Sequence, residues 1–311
     1  MNELRKSLRD YLALRRALGF KLATQGHLLH RFVDFADEQG ASFITRDLAL
    51  RWAMASPHGQ PALCGRRLHV VRMFAEYRAG TDSRTEIPPR GLLPDSYRRR
   101  SPYVYGDDDI RKLMEAALQL RSPRGLRATT FATLFGLLAV TGLRLGECVA
   151  LDCQDVDLVD GILHVHQSKF GKSRLVPLHP SACNALNRYA TLRGRIFPQP
   201  KDKRFFVSDL GTGLSLSHVQ HTFWELARGI GLRAPIGQRG PRIHDFRHGF
   251  AIRTLERLYR AGTDVERHLP VLATYLGHVD AVSTYWYLTA TPKLLRLASR
   301  RLGQKRKEVG R

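Results

Sequence analysis

The stretch from Leu126 to Val140 is strongly apolar and stops at Thr141-Gly142. A membrane-spanning helix needs roughly 18 or more apolar residues, and no stretch of this chain reaches that length. The apolar core of the run, Phe131 to Val140, also carries Thr133 and Gly136. It therefore reads as a buried core helix, apolar on all sides. Beyond it the period changes. Gly161-Ile162-Leu163-His164-Val165-His166 alternates, as does Arg174-Leu175-Val176-Pro177-Leu178, which predicts a β-hairpin. Lys169 and Lys172 sit at its tip. Phe205-Phe206-Val207 reads as a further short strand.

Residues 1–80 read as a helical module. Leu4, Leu8, Tyr11 and Leu12 share one face, and Gly19 stops that helix. Leu28, Leu29, Phe32, Val33 and Phe35 mark a second helix, and Thr45 can cap a third. A fourth runs from about Pro61 to Arg78, with Arg66, Arg67 and Arg72 on its other face. Residues 81–102 break the periodicity with Pro88, Pro89, Gly91, Pro94 and Pro102, and add Arg98-Arg99-Arg100. They read as a basic linker, with a second domain over 103–311.

Charge limits the partner. The 50 basic against 28 acidic residues leave a net +22. Such an excess implies a polyanion bound by phosphate neutralisation. Arg66, Arg67, Arg72, Arg98, Arg99, Arg100, Lys172 and Arg242 are the candidate DNA contacts. A solvated basic face is the plainer alternative for the helix arginines. The N-terminus has no apolar signal region, so the expected location is the cytoplasm, at the nucleoid. Cys64, Cys148, Cys153 and Cys183 form no Cys-x-x-Cys pair, so no metal site is expected. Gly171-Lys172-Ser173 suggests a phosphate loop, but its partner glycine is replaced by His166. No cofactor is implied.

The chemistry concentrates between His244 and Tyr287. His244-Asp245-Phe246-Arg247-His248 is followed by Leu276-Gly277-His278 and by Ser283-Thr284-Tyr285-Trp286-Tyr287. Arginine grips phosphate oxygens with a planar fork of donors, histidine moves protons near neutral pH, and tyrosine can form a phosphate ester. Taken alone, His244, Arg247 and His248 also suit the opening of a surface helix. Upstream, Arg144 stands at the turn after Thr141-Gly142-Leu143, with Glu147 placed to orient it.

These pieces in this order resemble the tyrosine recombinases, or phage integrases: Thr-Gly-Leu-Arg with Glu147 three residues on, His-x-x-Arg-His, Leu-Gly-His, and Tyr287 nine residues after His278. The Ser-Thr-Tyr-Trp-Tyr-Leu-Thr-Ala-Thr-Pro ending resembles transposon-encoded members. The resemblance implies a mainly α fold with a small β-hairpin or sheet. It implies an N-terminal helical core-binding domain and an α+β catalytic domain.

It also implies a site-specific recombinase that cuts and rejoins double-stranded DNA through a 3′-phosphotyrosyl intermediate, for integration or transposition. The implied catalytic set is Arg144, Lys169, His244, Arg247, His278 and Tyr287, with Lys172 the second choice for the lysine. Tyr285 is then expected to pack inward. The implied assembly is a tetrameric homo-oligomer on DNA, alone or with other recombinases. The basic leucine-bearing tail suits a neighbouring protomer or its own domain, and the resemblance favours the neighbour. The rivals are a silent DNA-binding accessory protein and a type IB topoisomerase.

Overall fold

The computed structural model describes residues 3–55, 61–94, 101–166, 173–199, 201–234, 240–278, 280, 282–289 and 291–309, with side chains described as far as Arg301. The chain divides into two compact units, Met1–Arg100 and Ser101–Arg311.

The first unit holds helices α1 (Glu3–Ala17), α2 (Ala23–Glu38), α3 (Arg46–Met54) and α4 (Pro61–Ala79). Thr45 caps α3, its hydroxyl accepting from the Leu48 N–H at 3.1 Å. Leu4, Leu8, Leu29, Phe32, Trp52 and Phe74 close one core, with Phe32 edge-on to Trp52. Past α4 the chain does not leave this unit at once. Asp82 is buried and pairs with Arg78 at 3.1 Å and Arg84 at 2.9 Å. Glu86 accepts from the Arg46 N–H, and Leu93 packs on the core. The proline-rich stretch up to Pro94 is thus packed chain, because its carbonyls and carboxylates satisfy buried arginines.

Two arginines of α4 correct the sequence reading. Arg67 and Arg72, expected to face DNA, are only 5% and 6% exposed. The Arg67 guanidinium lies over the Trp52 ring, 4.0 Å from its centroid, and donates to the Trp52 carbonyl. Arg72 donates to the Pro88 and Pro89 carbonyls at 2.6 and 2.8 Å. A bare helix face cannot distinguish solvent from packed chain, and here α3 covers Arg67 while the loop after α4 covers Arg72. Arg66 does remain exposed. Arg98, Arg99 and Arg100 lie outside the described residues.

The second unit is built on α6 (Leu126–Thr141), whose Phe131, Leu134, Phe135, Leu137 and Leu138 are all buried. Around it pack α5 (Asp107–Leu118), α8 (Pro180–Ile196) and α10 (Asp245–Arg260). The short α7 (Leu145–Ala150) follows α6 directly. The alternating segments form strands β2 (Ile162–Val165) and β3 (Arg174–Pro177), antiparallel as expected. A short β1 (Val156–Asp157) adds a third strand on the far side of β2. Phe205 and Phe206 are core residues, but their segment makes only the isolated bridges Asp152–Arg204 and Val207–Gly213. Phe205 N–H donates to Leu151 O at 2.7 Å and Cys153 N–H to Lys203 O at 2.8 Å, so the pairing is one bridge long on that side.

Helices α9 (Leu216–Gly229), α11 (Val265–Leu276), α12 (Val282–Tyr285) and α13 (Pro292–Val309) complete the unit. The first turns of helix α13 rest on its own unit, where the resemblance favoured a neighbouring protomer. Leu294 is fully buried beside Ala251 and Leu255 of α10, and Lys293 pairs with Glu256 at 2.8 Å.

Since Arg72 binds two carbonyls of its own unit, Arg72→Ala is expected to act on stability. Losing charge-assisted hydrogen bonds costs about 1.5–3 kcal/mol each. Chemical denaturation of the variant should show a loss on that order, while the slope of log DNA affinity against log salt stays as in the native chain. A reduced salt slope with unchanged stability would return Arg72 to the DNA surface.

Candidate active site

Two helix ends and one helix start converge. Helix α6 ends on Gly142 (φ 63°) and α11 on Gly277 (φ 68°), both in the left-handed region that glycine enters without strain. A Cβ at Gly142 would stand 2.8 Å from the Phe250 ring, and one at Gly277 2.8 Å from Arg174 Nη1. Both turns therefore also need the space that glycine leaves. They present the Gly142, Leu276 and Gly277 carbonyls to the two site arginines.

Arg247, in the first turn of α10, is 2% exposed. It donates to Gly142 O at 3.0 Å and Leu276 O at 2.5 Å. Among the described residues no carboxylate lies within ion-pairing distance of it. Burial first, then Arg144, lowers its pKa to about 10, so it stays charged at neutral pH. Arg144 donates to Gly277 O at 2.9 Å and to Glu147 Oε1 at 2.6 Å.

The Glu147 side chain, 6% exposed, is shared. Arg174 of β3 donates to both of its oxygens, at 3.1 and 2.7 Å, and to the Tyr275 carbonyl at 2.8 Å. Burial works to raise the Glu147 pKa. The Arg174 hydrogen bond, the Arg144 backbone N–H, the Arg174 charge and the Arg144 side chain outweigh it, and the net shift is downward. Glu147 is thus no surface ion pair. Two guanidinium groups meet this one carboxylate, and the third, that of Arg247, is held by carbonyls, so the pocket carries an excess of positive charge.

Tyr287 lies in the 3-10 turn Trp286–Thr289 and is 2% exposed. Its hydroxyl is 2.9 Å from His248 Nδ1, and its ring stacks on His278. His278 Nδ1 lies 2.7 Å from the Thr284 hydroxyl, which orients the imidazole. His244, at the mouth of α10, meets His248 edge to face at 4.6 Å. Its residue surface stays open, yet the surrounding protein, then Arg247, Arg242 and Arg144, lowers its pKa to about 4.

Arg144, His244, Arg247, His278 and Tyr287 are therefore all in this one unit, around the α6 and α11 ends. Lys169 and Lys172 lie outside the described residues. Arg242 is half-buried and binds Asp245 at 2.7 Å, bracing the start of α10. The inward packing expected for Tyr285 is corrected: it is 48% exposed, and Tyr287 is the buried member of the pair. The tight turn does send the two side chains apart, but Tyr287 takes the inner side. Two site residues went unassigned in sequence. Arg174 was visible only as a strand residue, and His248 only as the last letter of His-x-x-Arg-His.

Paired arginines beside a buried tyrosine hydroxyl define a class, the DNA breaking and rejoining enzymes that work through tyrosine. Comparison with known proteins agrees. The phage integrase family model matches residues 105–293. The chain is 45% identical over 306 residues to y4rB of Sinorhizobium fredii, assigned as an integrase/recombinase, covering 97% of this chain and 98% of that one. It is 31% identical to the tyrosine recombinase XerD of Caulobacter vibrioides, over 87% of this chain and 81% of that one. The Tn1549 transposon integrase in complex with transposon right end DNA has the same fold, with a TM-score of 0.67 at 16% identity, covering 97% and 100% of the two chains. The chain belongs to the phage integrase family, the tyrosine recombinases.

Glu147 gives a pH-dependent prediction. Its folded pKa lies below the ordinary value of 4.5, so its stabilisation is present above pH 4.5 and lost as pH falls through the folded pKa. Breaking a buried ion pair costs about 3–5 kcal/mol. Glu147→Gln should thus unfold more easily by roughly that amount at neutral pH, and the gap should narrow on acidification. A gap that stays constant from pH 7 to about 3 would contradict the sign argued here.

Proposed function

We propose that Tyr287 attacks a DNA phosphodiester and leaves a 3′-phosphotyrosine and a free 5′ hydroxyl. A 5′ hydroxyl from a second duplex then resolves the ester. The supporting observation is the buried excess of positive charge next to the Tyr287 hydroxyl. Among the described residues Arg247 is held there by carbonyls, so its charge is available to an incoming anion. Arg144 and Arg247 bind the non-bridging oxygens of the phosphorane, where charge develops. His278 donates to the same oxygens. His244, neutral at working pH because its pKa is so low, serves there as a donor. Lys169 protonates the departing 5′ oxygen. Because the ester conserves bond energy, no nucleotide is required.

In this reading residues 1–80 form the core-binding domain and 103–311 the catalytic domain, both on duplex DNA. The +22 charge and exposed Arg66 support that. The working unit is a homo-tetramer on DNA, as in the lambda integrase tetramer bound to a Holliday junction, which shares the fold at TM-score 0.64. The reaction serves integration or transposition of a mobile element, beside the nucleoid. The likeness to a transposon integrase supports that biology. A silent accessory protein is disfavoured because both arginines and the tyrosine are present.

The test is a nicked suicide substrate read on a denaturing gel. Tyr287→Phe should bind DNA and form no adduct, since only the hydroxyl is lost. Tyr285→Phe should keep cleaving. Arg144→Ala or Arg247→Ala should lose about 2.7–4 kcal/mol of transition-state stabilisation, by analogy with a lost oxyanion donor, and keep most DNA affinity. An adduct that persists in Tyr287→Phe and vanishes in Tyr285→Phe would transfer the nucleophile to Tyr285.

A further inference from the structure

We propose that His248 is the general base that takes the proton from the Tyr287 hydroxyl. The inference rests on Tyr287 as nucleophile. His248 is the residue after Arg247 on α10, and its Nδ1 lies 2.9 Å from the phenolic oxygen, the distance of a direct proton transfer. Its ring is held from two sides. Trp286 meets it at 5.3 Å, nearly edge-on, and His244 meets it at 4.6 Å and 88°. A fixed imidazole keeps Nδ1 aimed at one oxygen. His244 is the obvious rival, but its pKa of about 4 makes it a weak base.

The step balances as follows. The Tyr287 oxygen forms a bond to phosphorus, and its proton moves to His248 Nδ1. The bond from phosphorus to the 5′ oxygen breaks, and that oxygen leaves with the proton supplied by Lys169. In rejoining, the imidazolium returns its proton to the departing phenol, and the attacking 5′ hydroxyl gives its own to Lys169. The negative charge of the bound phosphate offsets the positive charge that His248 gains on taking the proton.

The test separates proton removal from orientation. His248→Asn keeps a hydrogen-bonding group near Nδ1 but cannot take a proton. Its rate of adduct formation on a suicide substrate should fall about 10²-fold or more, the usual share of a positioned base. DNA affinity and melting temperature should stay native. Replacing the leaving 5′ oxygen with sulfur should not restore the rate, because departure is not the step at fault. A difluorinated tyrosine at position 287, whose phenol ionises more easily, should restore it by about tenfold or more.

Native-rate cleavage by His248→Asn would overturn the proposal, as would rescue by the sulfur leaving group or no rescue by the fluorinated tyrosine. His248→Gln, which lacks a group at the Nδ1 position, is the second variant if the first does not fold. It should lose adduct formation by a similar factor, and the same three outcomes overturn the proposal. A Tyr287→Phe control that still forms adduct would instead remove the nucleophile assignment on which His248 depends.

Discussion

The Glu147 carboxylate accepts hydrogen bonds from the residue that caps the start of α7, Arg144, and from β3, through Arg174. Arg174 also reaches the Tyr275 carbonyl, and Arg144 reaches Gly277 O, so both arginines touch the end of α11 as well. One buried acid thus ties a helix start, a strand and a helix end together. A neutral side chain there would leave two buried guanidinium groups without a counter-charge, and each uncompensated charge costs several kcal/mol. The relative placement of the α6 end and the hairpin therefore depends on this carboxylate.

The same arithmetic explains why the pocket is poised rather than satisfied. Glu147 offsets one charge, while Arg144, Arg174 and Arg247 supply three. Backbone carbonyls solvate the remainder, and they do so with partial charges only. A phosphodiester entering such a pocket meets donors already oriented, with little reorganisation left to do. Stability is conceded at the place where the proposed reaction would need charge, which is where local rules of burial are expected to break.

Tyrosine placement follows from chain length near the end of α11. Gly277 stops the helix, His278 turns back toward Thr284, and the 3-10 turn of Trp286–Thr289 swings Tyr287 inward. The ring joins the apolar cluster of Leu255, Leu269 and Leu276, while its hydroxyl meets His248. The aromatic body stabilises the position, while the polar tip finds a hydrogen-bonding partner.

Much of this was legible in the residues. The apolar run predicted the core helix because a helix apolar on every side has to be buried. Alternation predicted the hairpin, and the ordered Arg, His-x-x-Arg-His and Leu-Gly-His pieces singled out Arg144, His244, Arg247, His278 and Tyr287. The partners of polar side chains were not legible. Arg67 and Arg72 resemble surface arginines until Trp52, Pro88 and Pro89 are seen to accept from them. Arg174 and Glu147 are 27 residues apart, and His248 and Tyr287 are 39 apart. The sequence by itself determined which elements form and which residue types carry the chemistry, since both follow from local periodicity and functional groups. Only the tertiary structure decided which tyrosine faces inward, which arginines are structural and which histidine meets the hydroxyl, because those depend on distances between segments far apart along the chain.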